Sequence, residues 1–211
     1  MFDLDGTLTD SKPGITRGVQ QALKYFGIDE PDLNQLESYI GPPLLDSFMR
    51  VHGLRKEQAR EAIRVYREYY TTVGIYQHQV YPGVEDLLNC TKADGKELYV
   101  ATSKPTPFAE IMLKEDGLLH LFKGVYGSFL DGRRTDKAEV IQAVMEEHRL
   151  DPSATVMVGD RSHDVVGGIK RGIPVIGVLY GYGSQEELFK AGAYTTVKNV
   201  EELKHILCQH V

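Results

Sequence analysis

The 211-residue chain holds only two cysteines, Cys90 and Cys208, too few for a disulfide framework and in keeping with a reduced, cytoplasmic protein. No apolar stretch approaches the roughly 18–20 residues that cross a bilayer, so no membrane span is expected. Nor is a secretory leader expected, because an acidic motif already begins at the third residue. Positive charge is not in excess: 24 Lys and Arg stand against 30 Asp and Glu, a formal net charge of −6. That balance argues against a nucleic-acid partner and a polybasic membrane patch, yet allows a small anion in one locally positive pocket. Repeats and low-complexity tracts are lacking as well.

The rest is ordinary for a globular protein, 42% apolar and 26% charged, with room for one sizeable domain or a main domain plus an insertion. Short apolar runs at 2–4, 98–101, 124–126, 155–158, 174–178 and 194–197 alternate with helical patterns at 84–88, 107–113, 137–148, 164–171 and 184–190. Such alternation predicts an α/β fold with a mainly parallel sheet. Val140, Ile141, Val144 and Met145 form one buried helical stripe. Residues 14–79 break the alternation. Ile15, Val19, Leu23 and Phe26, closed by Gly27, make one amphipathic helix, and Ala59, Ile63, Tyr66, Tyr70 and Val73 another. We therefore expect a core of residues 1–13 and 80–211 with a helical insertion at 14–79, and Tyr81-Pro82-Gly83 turning the chain back into the core. Only Met1 and Phe2 precede the first acid, although its strand should be central. Such strands usually run about five or six residues, so an N-terminal extension before Met1 is expected.

Four segments place acidic, hydroxyl and cationic side chains where strands should end, the face on which parallel sheets bind ligands. In Asp3-Leu4-Asp5-Gly6-Thr7, residues two apart share a direction, and Gly6 permits a turn that exposes backbone N–H groups. Thr102-Ser103-Lys104 follows the second apolar run. Lys137 opens a helix, a placement opposed by the macrodipole. In Gly159-Asp160-Arg161-Ser162-His163-Asp164, acids four apart share a face if a helix begins there.

Together these segments resemble the haloacid dehalogenase superfamily: an Asp-x-Asp-Gly-Thr first motif, a Thr/Ser second, a Lys third and a Gly-Asp-x-x-x-Asp fourth. Ile40-Gly41-Pro42-Pro43-Leu44, Ala101-Thr102-Ser103-Lys104-Pro105 and Gly181-Tyr182-Gly183 look most like its phosphoglycolate phosphatase and 5′-nucleotidase-like branch. The resemblance implies a Rossmann-like core with a small α-helical cap at 14–79. It also implies hydrolysis of a small phosphorylated metabolite, phosphoglycolate or alternatively a nucleoside monophosphate.

By the same resemblance Asp3 is the nucleophile and Asp5 the general acid and base, while Thr102 and Lys137 hold the phosphoryl oxygens. Gly6, Ser103 and Lys104 bind substrate, Lys104 at its remote anion, a task Arg17 or Arg50 could share. Mg²⁺ would be held by Asp3, the backbone carbonyl of Asp5 and Asp160, with Asp164 a ligand or an anchor. Like charges about 4 Å apart repel by about 4 kcal/mol at an effective dielectric of 20, so the clustered carboxylates need both Mg²⁺ and Lys137. Asp5 disfavours a dehalogenase, whose halide leaves unprotonated, and Ile15 stands where the family's phosphomutases carry a histidine. A receiver-type phospho-aspartate switch is the alternative of another class, but such domains are shorter and lack a cap. His163 reads as a loop histidine and Arg161 as the partner of a local carboxylate.

Overall fold

The computed structural model describes residues 1–208. The chain folds as two compact units, Asp10–Gln79 and Met1–Thr9 with Val80–Val211. It passes between them at two short strands, β1 (Thr9–Asp10) and β2 (Gln79–Val80).

The first unit is helical, with α1 (Lys12–Tyr25), α2 (Leu44–His52) and α3 (Lys56–Tyr70). Pro13 sits in the first turn of α1, where its missing N–H leaves no bond unmade. Ile15, Val19 and Leu23 are buried on one face of α1, and Gly27 takes φ +73° just past its end. On α3 the buried residues are Ala59, Ala62, Tyr66 and Tyr70, with the two tyrosine rings stacked 5.1 Å apart. Val73, expected on this stripe, lies beyond the helix and is exposed, and Ile63 is half-buried because a 3.6-residue turn puts Ala62 inward. α1 packs against α3 across Gly18, where a Cβ would come within 2.8 Å of the Tyr66 ring.

The second unit is a parallel sheet with helices. In chain order its helices are α4 (Val84–Ala93), α5 (Thr106–Glu115), α6 (Lys137–His148), α7 (Ser162–Lys170), α8 (Gln185–Ala191) and α9 (Val200–Leu207). Strand β3 (Tyr99–Pro105) pairs with β4 (Gly124–Ser128). A second group runs β5 (Met157–Gly159), β6 (Val175–Val178) and β7 (Thr195–Val197). Phe2 joins the groups, bridging in parallel to Val100 on one side and Val158 on the other. The expected strand 2–4 thus ends at Asp3, whose N–H donates to the Val158 carbonyl at 2.9 Å, because the Leu4 carbonyl already accepts turn bonds from the N–H groups of Thr7, Leu8 and Thr9. The Met1 amine is buried and donates to the Val156 carbonyl at 2.8 Å.

Side chains alternate across the sheet. Tyr99, Ala101, Met157 and Val175 lie in one apolar cluster with Val140, Ile141 and Val144 of α6, while Met145 packs at its edge. α4 packs on α9, which brings Cys90 and Cys208 together with Cα atoms 6.1 Å apart, within the span of a disulfide. Among the described residues, no helix is long and apolar enough to cross a membrane.

Candidate active site

Asp3 directly follows the joining residue Phe2, at the end of the sheet where β3 runs into α5 and β5 into the loop before α7. The chain then turns tightly, with Gly6 at φ +85°. A Cβ at Gly6 would lie 2.2 Å from Asp160 Oδ2, so only glycine lets this turn approach so closely. Lys137 is the first residue of α6, whose start is fixed by Asp136 accepting the Ala138 N–H at 2.8 Å. Its buried Nζ lies 2.7 Å from Asp3 Oδ1 and 2.8 Å from Asp164 Oδ1, and donates to the Ala101 carbonyl at 3.0 Å. Burial opposes this ammonium, but the carboxylates of Asp164 and Asp3 outweigh it and hold its pKa above the ordinary lysine value. Those acids offset the unfavourable helix dipole.

The fourth segment differs from its expected geometry. Helix α7 begins at Ser162, so Asp164 sits in its first turn while Asp160 lies in the loop before it. The acids therefore do not share a helical face. They converge nonetheless: one oxygen from each of Asp3, Asp160 and Asp164 lies within 4.8 Å of the others, all three residues buried. Burial, then Asp164 and Asp3, pushes the Asp160 carboxyl well above the usual range. Burial pushes Asp164 up to about 6, with Lys137 pulling against it. Three buried carboxylates face one ammonium, a hard-oxygen donor set suited to a divalent cation such as Mg²⁺.

The Asp5 side chain is not part of this triad. Its Oδ2 lies 3.1 Å from Lys104 Nζ, both side chains being under 10% exposed, and its Oδ1 has no hydrogen-bond partner among the described residues. Lys104, expected to contact the substrate's remote anion, thus has its ammonium against the expected acid and base. Thr102 is buried, and its Oγ1 accepts the Lys104 N–H at 3.2 Å, leaving its own proton to be donated. Ser103 is half-buried, its carbonyl accepting from Ser128 Oγ at 2.9 Å across β3 and β4. Sequence reasoning missed two contacts on Asp160: Thr7 Oγ1 donates to Oδ1 at 3.4 Å, and the Tyr182 N–H donates to Oδ2 at 2.8 Å. His163 is an exposed residue of the first turn of α7, not of a loop, and Arg161 Nε pairs with Glu187 at 3.1 Å. In the helical unit, Arg17 and Arg50 are exposed, and Gly41-Pro42-Pro43 leads into α2.

The model of the haloacid dehalogenase-like hydrolases matches residues 1–178. A 5′-nucleotidase of Pseudomonas aeruginosa is 47% identical over 89% of this chain and 85% of its own length. The tyrosine-protein kinase PtkA of Mycobacterium tuberculosis is 36% identical over 98% and 71%. Phosphoglycolate phosphatase 1 of Pseudomonas aeruginosa is 28% identical over 96% and 77%. A solved structure described as a predicted phosphatase, from Clostridium acetobutylicum, superposes with a TM-score of 0.96 at 44% identity, covering 98% of this chain and 95% of that one. The chain belongs to the haloacid dehalogenase-like hydrolase family.

Proposed function

We propose that this phosphoric monoester hydrolase is Mg²⁺-dependent, works through a phosphorylated Asp3, and acts on nucleoside 5′-monophosphates. The observation that carries the chemistry is the buried convergence of Asp3, Asp160 and Asp164 around the single ammonium of Lys137. The substrate reading is supported by the 47% identity to a 5′-nucleotidase, against 28% to a phosphoglycolate phosphatase.

Asp3 attacks phosphorus, forming an Asp3–phosphate bond as the bond to the leaving oxygen breaks. Asp5 delivers a proton to that oxygen, so the nucleoside departs as an alcohol. As a carboxylate, Asp5 then takes a proton from water, which attacks the same phosphorus and restores Asp3. Lys137 and the Thr102 hydroxyl hold phosphoryl oxygens, with Gly6, Ser103 and Lys104 lining the substrate's place. Asp3, Asp160 and the Asp5 backbone carbonyl are the residues that would hold Mg²⁺, Asp164 serving as ligand or anchor. When bound, the ion supplies positive charge that lets the acids ionise together and polarises the phosphoryl group. Residues 14–79 serve as the cap that selects the leaving group.

Turnover of p-nitrophenyl phosphate tests the chemistry: it is expected to need Mg²⁺ and to fall to background in Asp3→Asn. Activity retained in Asp3→Asn would overturn the assigned nucleophile. A panel containing nucleoside 5′-monophosphates and phosphoglycolate tests the substrate, and a higher kcat/KM for phosphoglycolate would reverse the preference.

A further inference from the structure

We propose that the loop at 180–183, Tyr180-Gly181-Tyr182-Gly183, is a positioning element for Asp160 that sets the affinity of the acidic cluster for a divalent cation. The inference rests on the metal reading of that cluster. The loop leaves the sheet just after β6 and lies against Asp160 by main chain rather than side chain. The Tyr182 N–H donates to Asp160 Oδ2 at 2.8 Å, while Thr7 Oγ1 donates to Oδ1 at 3.4 Å. The Asp160 carboxylate is thus oriented by a donor on each oxygen.

Two glycines make that approach possible. A Cβ on Gly181 would stand 2.3 Å from the Gly6 carbonyl and 2.4 Å from Asp160 Cβ. On Gly183 it would stand 1.8 Å from the Asp160 carbonyl. No side chain fits at either position without moving Asp160 or the turn that carries Asp3 and Asp5. Tyr180 ties the loop to the same turn: its hydroxyl donates to the Thr7 carbonyl at 3.1 Å, and its ring meets Tyr81 edge-on with centroids 5.1 Å apart. Groups that orient ligating carboxylates typically change metal affinity by roughly 10–100-fold when disturbed.

The experiment is calorimetric titration of Mg²⁺ into metal-free protein, with kcat measured across the same Mg²⁺ range. Gly181→Ala is expected to weaken Mg²⁺ binding by roughly 10–100-fold, with much of kcat regained at saturating Mg²⁺. Tyr180→Phe, which loses one hydrogen bond and no volume elsewhere, is expected to weaken it roughly two- to tenfold. Ser184→Ala removes the N-cap of α8, whose Ser184 side chain accepts the Glu187 N–H. It is expected to lower Tm while leaving Mg²⁺ affinity unchanged. Folded Gly181→Ala that binds Mg²⁺ like wild type overturns the inference alone, as does Ser184→Ala weakening Mg²⁺ as much. If Gly181→Ala fails to fold, Tyr180→Phe decides, and unchanged affinity there refutes the loop's role. Wild-type protein that takes up no Mg²⁺ removes the metal reading itself.

Discussion

Replacing Asp160 by asparagine should stabilise the metal-free protein and abolish most of its response to Mg²⁺. Asp160 is buried with oxygens of Asp3 and Asp164 within 4.8 Å, and the Lys137 ammonium lies against Asp3 and Asp164. One like-charge pair at that distance, with an effective dielectric of 20, repels by about 3.5 kcal/mol. Uptake of a proton by the cluster, whose Asp160 carboxyl is already pushed upward, relieves part of this, so the gain lies below that repulsion. For a chain of this size, about 2–4 °C accompanies each kcal/mol, so Asp160→Asn should melt several degrees above wild type in EDTA. With Mg²⁺ at a hundred times its Kd, wild type gains about 2.7 kcal/mol and the order of the two proteins approaches or passes equality. Scanning calorimetry of both proteins, with EDTA and with Mg²⁺, reads all four values. If Asp160→Asn is the less stable protein in EDTA, or if Mg²⁺ raises both Tm values alike, the electrostatic account of the site is wrong.

Lys104→Met strands the Asp5 carboxylate, and breaking a nearly buried pair of this kind costs about 3–5 kcal/mol. Urea unfolding should show that loss, and adding Asp5→Asn should restore most of it. Gly18→Ala should lower stability by about 1–3 kcal/mol through its contact with Tyr66, read as a fall in Tm.

Much of the architecture was legible because local patterns carry it. Helix Lys137–His148 follows from the stripe through Val140, Ile141 and Val144, visible in the chain. The strands around 98–101, 124–126 and 174–178 are short apolar runs that no helix period explains. What escaped depends on contacts between distant segments. Nothing around Lys104 indicates that its ammonium meets Asp5, and nothing around Cys90 points to Cys208. The Tyr182 N–H on Asp160 is a main-chain group, invisible to reasoning about side-chain types. Acids four apart share a face only where both are helical; Ser162 is the first residue of α7, so a loop and not a turn of helix carries Asp160 to the cluster. Val73 was expected on the α3 stripe, but α3 stops at Tyr70.

The single-residue bridge at Phe2 has a consequence for how this enzyme comes into being. Two half-sheets, one built from residues 99–128 and the other from 157–197, are joined through Met1, Phe2 and Asp3. Each half can form from neighbouring segments, but their union waits for that short segment to thread between them, a contact of long sequence separation and hence slow closure. Asp3 is the next residue, so the last seam of the sheet and the placing of its carboxylate are one event. Partly folded forms should be catalytically silent, and activity on refolding should return with the slowest phase.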